Sequence, residues 1–362
     1  MIEPSERPPS SVKQFRIRIA AKGETFEFAC GSQEHILHAG LRNGIDLPYE
    51  CASGTCGTCK ATLTEGDTEY AWIEAPGRKF VKADKGEVLM CQSLARSDCT
   101  LTVAKRVEAM AVGRFPPKRI GAMLETFRQL APDVVAFEVA LDEPISFEAG
   151  QFVLLEVPQI AGARSYSMVN FARNAKRLHF VVKRFPGGRV SEWLFSASLG
   201  QSRVELFGPL GHATFDPALA KHLVCIAGGS GIASMMSILT HAADERYFDR
   251  HEGKVFFGVR TVADAFYLEE LAAFAHRYPT RLSVTIALSH EELSPSLLAA
   301  HPDLTFDTGF VHEAAKRALA GVAAPETMAY VAGPPPMVDA TLRMLLLECR
   351  LGGSNIRYDK FS

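Results

Sequence analysis

Four of the eight cysteines stand at positions that suit ligands of a metal centre. Three lie in the segment Cys51-Ala-Ser-Gly-Thr-Cys56-Gly-Thr-Cys59, spaced C-x4-C-x2-C, and Cys91 follows as a fourth thiol. Two irons bridged by two sulfides take four thiolates, and small residues between the thiols let backbone N–H groups turn toward the sulfurs. Zinc is the alternative, but zinc sites favour paired knuckles, and no second knuckle follows here. The spacing therefore favours a [2Fe–2S] cluster held by these four cysteines.

Two glycine-rich turns have the composition of phosphate-binding backbone. The first, Gly187-Gly188-Arg189-Val190-Ser191, leads into a predicted helix, and the second, Gly228-Gly229-Ser230-Gly231, joins the apolar run HLVCIA to another helix. Glycine lets a backbone approach a phosphate closely, and the N-terminus of a helix favours an anion. Taken alone, each turn is also an ordinary connection between elements, and Ser191 serves equally well as a helix cap.

Three segments of different texture must position these residues. After a polar tail (1–12), residues 13–110 alternate strands such as QFRIRI and TFEFAC with one helix, which Ser32 can cap and Gly44 can end. Residues 115–217, after a proline-containing linker, are a run of strand-like pieces separated by turn residues, which predicts an antiparallel barrel. Residues 220–362 alternate short apolar runs with helical stretches, which predicts a parallel sheet built from strand–helix–strand units.

The composition excludes several classes of protein. A chain of 362 residues that is 47% hydrophobic and 22% charged is globular and long enough for two or three domains. The net charge of −2 argues against a nucleic-acid partner or an anionic membrane surface. The most apolar run, residues 223–239, is broken by glycines, so no membrane helix is expected, and the tail lacks a signal-peptide core. The sequence thus predicts a cytoplasmic protein whose other four cysteines are packing or surface thiols.

Three motif sets resemble one known family. The residues around the thiols, Pro48-Tyr49-Glu50-Cys51 through Lys60 with Met90-Cys91-Gln92, resemble a plant-type ferredoxin domain, and the later segments resemble the ferredoxin–NADP reductase superfamily. In this order they are similar to the reductase components of bacterial multicomponent oxygenases, such as the toluene and phenol monooxygenase and benzoate dioxygenase types. The resemblance implies a multi-domain α+β and α/β fold: a β-grasp ferredoxin domain, an antiparallel β-barrel flavin domain and a parallel α/β nicotinamide domain.

The resemblance also implies a function. Electrons would pass from NADH, or NADPH, through FAD and the [2Fe–2S] cluster to a terminal oxygenase or an intermediary ferredoxin. The oxygenase would be a diiron monooxygenase or a Rieske dioxygenase. Nicotinamide gives up two electrons as hydride and the cluster accepts one at a time, so a flavin between them acts as the converter.

The flavin residues follow from two motifs of the family. In Arg164-Ser-Tyr166-Ser167, the arginine would pair with the flavin pyrophosphate, the tyrosine would pack on the isoalloxazine, and the serine would hydrogen-bond near N5 in a catalytic role. The resemblance assigns the pyrophosphate also to Gly187, Gly188 and Ser191. FAD rather than FMN rests on the resemblance, and Lys183 is expected on a solvated face.

The nicotinamide residues follow the same family pattern. The turn with Gly228, Gly229 and Gly231 would hold the pyrophosphate, and Arg260 ends an aromatic-Gly-x-Arg element. Gly333 and Pro334 belong to a C-G-P-P-x-M element, in which Ala332 stands where cysteine is usual. That catalytic position helps to orient the reacting rings, so its change puts the rate of hydride transfer in question. The terminal aromatic residue, Phe361, would cover the flavin or have a packing role.

Two competing functions remain open on sequence grounds. A redox sensor or scaffold would hold the same cofactors without turnover, and Ala332 is the feature that favours it. A stand-alone flavin-dependent oxidase or ferric reductase would turn over without the cluster. Loss of a cluster thiol separates the second function from an electron-transfer reductase.

Overall fold

The computed structural model describes residues 13–196, 202–321 and 324–360, and the chain divides into two compact units between Pro117 and Lys118. Phe361 lies outside the described residues, so its predicted role stays a prediction. Within the part of the chain that is described, no helix has both the length and the apolar character needed to span a bilayer.

The first unit is a mixed sheet with one packed helix. The sheet has the strand order β2-β1-β8-β4-β6, in which β1 and β8 run parallel and the other neighbours antiparallel. This is the β-grasp arrangement that the resemblance implies. The elements are β1 (Gln14–Ala21), β2 (Glu24–Gly31), α1 (Ile36–Arg42), β3 (Ile45–Asp46), β4 (Lys60–Glu65), β5 (Thr68–Tyr70), β6 (Glu87–Leu89), β7 (Ser93–Ala95), β8 (Cys99–Val103) and β9 (Glu108–Ala109).

Local sequence explains most of this unit. In β1 the side chains of Phe15, Ile17 and Ile19 are buried, and the polar residues between them are exposed, as strict alternation predicts. The helix is buried on nearly every residue, which ties it to the sheet. The prediction that Ser32 caps it is wrong, because the N-cap is His35. His35 forms a bridge to Leu94 that keeps the chain extended until that residue.

The second unit begins with a six-stranded antiparallel barrel. Its strand order is β13-β12-β15-β10-β11-β14. The seam is closed by a hydrogen bond from Val169 N to His179 O (2.8 Å), and Phe137, Phe147 and Phe180 fill the interior. The elements are β10 (Lys118–Ala131), β11 (Val134–Ile145), β12 (Phe152–Glu156), β13 (Arg164–Ser167), β14 (Ala175–Lys183), α2 (Arg189–Leu194) and β15 (Arg203–Leu210).

A six-stranded parallel sheet with helices on both faces completes the second unit. The strand order is β19-β18-β17-β16-β20-β21. Residues of α3 and α4 pack on one face, and residues of α6 and α7 on the other. The elements are β16 (His222–Gly228), α3 (Ile232–Asp244), β17 (Gly253–Val259), α4 (Leu268–Arg277), β18 (Leu282–Leu288), α5 (Pro295–Ala300), β19 (Thr305–Thr308), α6 (Val311–Leu319), β20 (Thr327–Gly333), α7 (Pro335–Arg343) and β21 (Ile356–Lys360).

The order of the parallel strands determines where a ligand binds. The chain proceeds outward from β16 to β19 on one side and then returns to place β20 and β21 on the other. In such a sheet, ligands bind at the carboxyl ends of the two strands where the order reverses. Here those strands are β16 and β20, and the glycine turn after Gly228 lies at this point.

Candidate functional site

The four predicted metal ligands come together in the first unit as two pairs of thiols. The sulfurs of Cys59 and Cys91 are 3.1 Å apart, which joins the loop to the start of a short turn 32 residues later. The thiols of Cys51 and Cys56 are hydrogen-bonded to each other. Cys51, Cys59 and Cys91 are buried and Cys56 is half-buried. One side of the site is thus closer to solvent than the rest.

The loop conformation aims backbone N–H groups at these sulfurs. Cys51 Sγ accepts from Ser53 N and from Cys56 N, each at 3.4 Å, and Cys56 Sγ accepts from Thr58 N at 3.5 Å. The left-handed φ values of Gly54 (91°) and Gly57 (79°) make these turns possible. Hydrogen bonds to cluster sulfurs are one of the means by which a protein adjusts the reduction potential.

Pairing affects the protonation of the thiols. The hydrogen bond from Cys56 lowers the pKa of the Cys51 thiol to about 4, and the same bond together with burial raises the pKa of Cys56. The hydrogen bond with Cys59 raises the pKa of Cys91. Iron binds the thiolate, so a metal would replace the shared proton in each pair.

The donor set fits a two-iron cluster. Four thiols in two pairs, three of them buried, offer two ligands to each iron, whereas zinc takes four ligands around one point. Among the described residues, no three His, Cys, Asp or Glu side chains gather as ligands of a single ion. The four cysteines are the residues that would hold the cluster.

In the barrel, β13 carries the predicted flavin residues Arg164, Tyr166 and Ser167 at one end of the strand order. Burial raises the pKa of the Tyr166 phenol, which stays neutral. The Ser167 side chain is 7% exposed, and its hydroxyl has no hydrogen-bond partner among the described residues. Leaving a buried hydroxyl without a partner costs about 1–3 kcal/mol, so this site fits a ligand that supplies a hydrogen-bonding atom, as flavin N5 does.

The turn before α2 places the second set of flavin residues. Gly187 has φ of 76°, and no atom of the described residues lies within 4 Å of the position of an added side-chain carbon. A side-chain carbon on Gly188 would lie 2.7 Å from the hydroxyl of Ser191. That hydroxyl accepts a hydrogen bond from Phe185 N (3.1 Å) and lies 3.0 Å from Gly188 O. The Ser191 hydroxyl therefore stabilises the turn, and its contact with a phosphate stays a prediction. The predicted helix after this turn is present as α2, which ends at Leu194.

Removal of the Ser167 hydroxyl tests its pairing with the flavin. In Ser167→Ala we expect the flavin-free protein to melt at the same or a slightly higher temperature, because the hydroxyl has no hydrogen bond to lose within the described part of the chain. We expect flavin reduction by NADH to slow by roughly 5- to 10-fold, which corresponds to one lost hydrogen bond of about 1 kcal/mol. Stopped-flow absorbance and thermal melting measure the two effects. A destabilised flavin-free variant would mean that the hydroxyl acts within the protein instead.

The predicted nicotinamide residues meet at the carboxyl edge of the parallel sheet. A groove of about 310 Å³ is lined by Gly228, Gly229, Arg260 and Pro334, which end or follow three different strands. Gly229 has φ of 52°, and no described residue places an atom within 4 Å of the position of an added side-chain carbon. This turn thus has room for a pyrophosphate at the point where the strand order reverses.

Two further glycines are required by packing behind the groove. A side-chain carbon on Gly231 would overlap the carbonyl of Ala332 and lie 2.8 Å from Gly333 N. Gly333 has φ of 153° and itself packs against the backbone of Gly228, so the turn after β16 and the end of β20 are in direct contact. Ala332 is 1% exposed and lies in the core beneath this contact, where its methyl group faces apolar neighbours.

Several groove residues were not identified from the sequence. Lys183, which was expected on a solvated face, lines the groove with its Nζ 3.0 Å from Asp133 Oδ2. Asp264, Ser289 and Phe310 line it as well, and each follows the end of a strand, β17, β18 or β19. The rule that ligands gather at the carboxyl ends of parallel strands could have found these three. Lys183 comes from the barrel, and nothing in the sequence links it to this edge.

The two loops after β17 and β18 are joined by backbone hydrogen bonds. Ser289 N donates to Val259 O (3.1 Å) and His290 N to Arg260 O (2.8 Å). Two carboxylates are held there: Asp264 accepts from Thr261, and Glu291 Oε2 accepts from Val262 N at 2.6 Å. Asp264 therefore lines the groove beside the exposed Arg260, and Glu291 is held in the adjoining loop.

Comparison with protein families gives three matches along the chain. Residues 19–96 match the model of a 2Fe-2S iron-sulfur cluster binding domain, residues 122–215 that of an oxidoreductase FAD-binding domain, and residues 225–343 that of an oxidoreductase NAD-binding domain. These matches confirm the expectation of a [2Fe–2S] cluster, a flavin and a nicotinamide coenzyme. They occur in the order that the motifs predict.

Relatives of known activity match nearly the whole chain. The ferredoxin–NAD(P)(+) reductase CarAd of Metapseudomonas resinovorans is 38% identical over 319 residues, which cover 88% of this chain and 92% of that protein. The ferredoxin–NAD(+) reductase component of the alkene monooxygenase system of Xanthobacter autotrophicus is 32% identical, covering 92% and 97%. The solved structure of the ferredoxin reductase in carbazole 1,9a-dioxygenase superposes with a TM-score of 0.80 at 34% identity, covering 97% and 99%.

Proposed function

The chain belongs to the family of NAD(P)H-dependent iron–sulfur flavoprotein reductases, and from this premise we propose that it supplies single electrons to a partner protein of an oxygenase system. The single observation that carries the proposal is the two-pair thiol site in a chain that also forms a pyrophosphate-sized groove. A coenzyme groove alone would suit many oxidoreductases. A one-electron site in the same chain is needed only where electrons leave one at a time.

Each part of the chain has one task in this proposal. Residues 13–110 would hold the cluster, residues 115–217 the FAD and residues 220–362 the nicotinamide coenzyme. When bound, FAD would supply the conversion between two-electron and one-electron transfer, and a cluster held by the four cysteines would supply one-electron transfer. Binding and orientation of these groups depend on the side chains and backbone of this protein.

Residues of this chain would bind and orient the flavin and the nicotinamide coenzyme. The fork of Arg164 would pair with the flavin pyrophosphate together with Gly187, and the Ser167 hydroxyl would hydrogen-bond to N5. The backbone around Gly229 would receive the coenzyme pyrophosphate, and the contact between Gly231 and Gly333 would fix the turn beside the nicotinamide. The carboxylate of Asp133 orients Lys183 at the rim of the groove.

We propose NADH as the preferred coenzyme. A 2′-phosphate would meet the carboxylates of Asp264 and Glu291 in the loops after β17 and β18, whereas free ribose hydroxyls can donate to such groups. Arg260 is drawn toward the barrel by Asp133, whose Oδ2 is 4.0 Å from the guanidinium. Both features favour a coenzyme without the extra phosphate.

Neutralising one of these carboxylates should weaken the preference for NADH over NADPH. In Glu291→Gln we expect kcat/KM with NADPH to rise by roughly 3- to 10-fold with little change for NADH, because one repelling charge is gone. The amide oxygen can still accept from Val262 N, so the loop is retained. Glu292→Gln, at an exposed position of the same loop, is the control and should leave both values unchanged. Equal changes for both coenzymes would contradict the assignment.

An anaerobic titration with NADH and then NADPH tests the proposed function as a whole. NADH should bleach the flavin absorbance, and the low-temperature EPR signal of a reduced [2Fe–2S] cluster should then grow. If neither coenzyme reduces a fully loaded protein, the sensor function takes precedence and Ala332 becomes its explanation.

The acceptor is either an intermediary ferredoxin or the oxygenase itself. The relative CarAd is named as a ferredoxin reductase, and the Xanthobacter relative as the ferredoxin–NAD(+) reductase component of a monooxygenase system, which favours a ferredoxin or a closely coupled oxygenase here. The described cysteines are all free thiols, which accords with a reducing compartment, and we propose that the protein acts in the cytoplasm.

A further inference from the structure

A short segment next to the cluster loop supplies none of the predicted cofactor-binding residues. The turn Pro76–Phe80 lies directly on the loop, because Gly77 N donates to Gly54 O at 2.8 Å. The Phe80 ring covers Gly57, where a side-chain carbon would lie 2.7 Å from Phe80 Cδ2. Both glycines stand between Cys51 and Cys59, so this turn forms the outer wall of the site on the side of the half-buried Cys56.

This wall exposes large apolar side chains. Phe80 is 49% exposed and Ile73, just before the turn, is 66% exposed. Apolar side chains of this size at the surface, next to a redox site, have the composition of the centre of a protein interface. An aromatic ring that touches the cluster loop and also reaches solvent offers an acceptor a short approach to the thiols.

The surroundings of these side chains are basic. From residue 72 to residue 87 the segment carries four cations, Arg78, Lys79, Lys82 and Lys85, against three anions, Glu74, Asp84 and Glu87, the last of which accepts from Lys82 N at 2.7 Å. Arg78 lies over the Tyr70 ring (4.6 Å) and donates to Ile73 O, and Lys79 lies over the Phe80 ring (5.0 Å). Two of the charges are thus held in place beside the exposed apolar groups.

We propose that the surface formed by Ile73, Arg78, Lys79, Phe80 and Lys82 docks the electron acceptor, a separate protein whose own docking face is acidic around an apolar centre. The proposal rests on the proposed function. The flavin residues of the second unit are themselves accompanied by cations, Arg164 and Arg189, so an acidic foreign protein is the better complement to a basic surface.

The charge of this surface can be tested with two cytochromes of opposite charge as one-electron acceptors. At low ionic strength, the holoenzyme should reduce acidic cytochrome b5 with a higher kcat/KM than basic cytochrome c, and the rate with cytochrome b5 should fall as salt is added. A preference for cytochrome c, or a rate with cytochrome b5 that does not depend on salt, would overturn the proposal.

Charge-reversal variants test whether these residues form the docking surface. The double variant Lys79→Glu/Lys82→Glu should lower kcat/KM for cytochrome b5 by about 10-fold or more at low salt and raise it for cytochrome c. Phe80→Ala should slow transfer to both cytochromes. Lys13→Glu is the matched control, because Lys13 also lies over a phenylalanine ring (Phe15, 4.9 Å) but directly precedes β1, at the opposite end of the strands from the cluster loop. An equal loss in the control would overturn the proposal.

The rate at which NADH reduces the cluster in these variants shows whether the surface docks a separate acceptor protein or receives electrons from the flavin unit. NADH should reduce the cluster at the wild-type rate in the charge-reversal variant, as followed by stopped-flow absorbance and by EPR for cluster content. If that internal step slows in the same proportion as transfer to cytochrome b5, the surface receives electrons from the flavin unit and the docking proposal is wrong. If NADH fails to reduce the cluster in the wild type, the proposed function fails instead.

Discussion

In Cys56→Ser we expect the rate of electron transfer to protein acceptors to fall by roughly 100-fold, while NADH continues to reduce ferricyanide. Serine offers iron a hydroxyl of much higher pKa than a thiol, and it also breaks the hydrogen bond to Cys51 that forms the first thiol pair. The flavin and the coenzyme groove belong to the other unit and keep their own contacts. The measurements are EPR of the reduced protein and parallel assays with cytochrome b5 and ferricyanide.

Cys99→Ser is the control for that experiment. Cys99 is buried in the same unit, and its thiol donates to the backbone oxygens of Asp67 and Ser97, bonds that a hydroxyl can also make. We expect it to retain the cluster and full transfer. If Cys56→Ser passes electrons to the cytochrome at the wild-type rate, the route through the cluster is wrong and a stand-alone flavin oxidoreductase is the better description.

Gly231→Ala should nearly abolish reduction by NADH. The added carbon would overlap the carbonyl of Ala332, so the turn after β16 and the end of β20 must move apart. Overpacking of this kind costs about 1–3 kcal/mol of stability, and a shift of about 1 Å between reacting groups can cost about 100-fold in rate. Stopped-flow reduction by NADH measures the loss, and chemical reduction by dithionite should still proceed because the flavin site is in the barrel.

Gly353→Ala is the matched control for Gly231→Ala. In the part of the chain that the structure describes, no atom lies within 4 Å of the position of its added carbon, and its φ is outside the left-handed region, so stability and rate should stay unchanged. Normal reduction by NADH in Gly231→Ala would contradict the placement of the nicotinamide beside this turn.

The order of elements could be predicted from the sequence because it depends on local patterns. Alternation of apolar residues in β1 identified a half-buried strand, and the glycine turn after HLVCIA identified the strand–turn–helix unit at Gly228. Predictions of single polar contacts were less successful. Ser32 does not cap α1, because the bridge between His35 and Leu94 keeps the chain extended past it.

What the sequence by itself determined is the chemistry whose ligands are close together in the chain, foremost the C-x4-C-x2-C loop. The tertiary structure alone decided that Cys91 pairs with Cys59 in particular, that Lys183 reaches the groove after β16, and that Phe80 covers the cluster loop. The physical reason is that ligand spacing and strand alternation are properties of a few neighbouring residues, whereas these contacts depend on strand register and on packing between elements far apart in the chain.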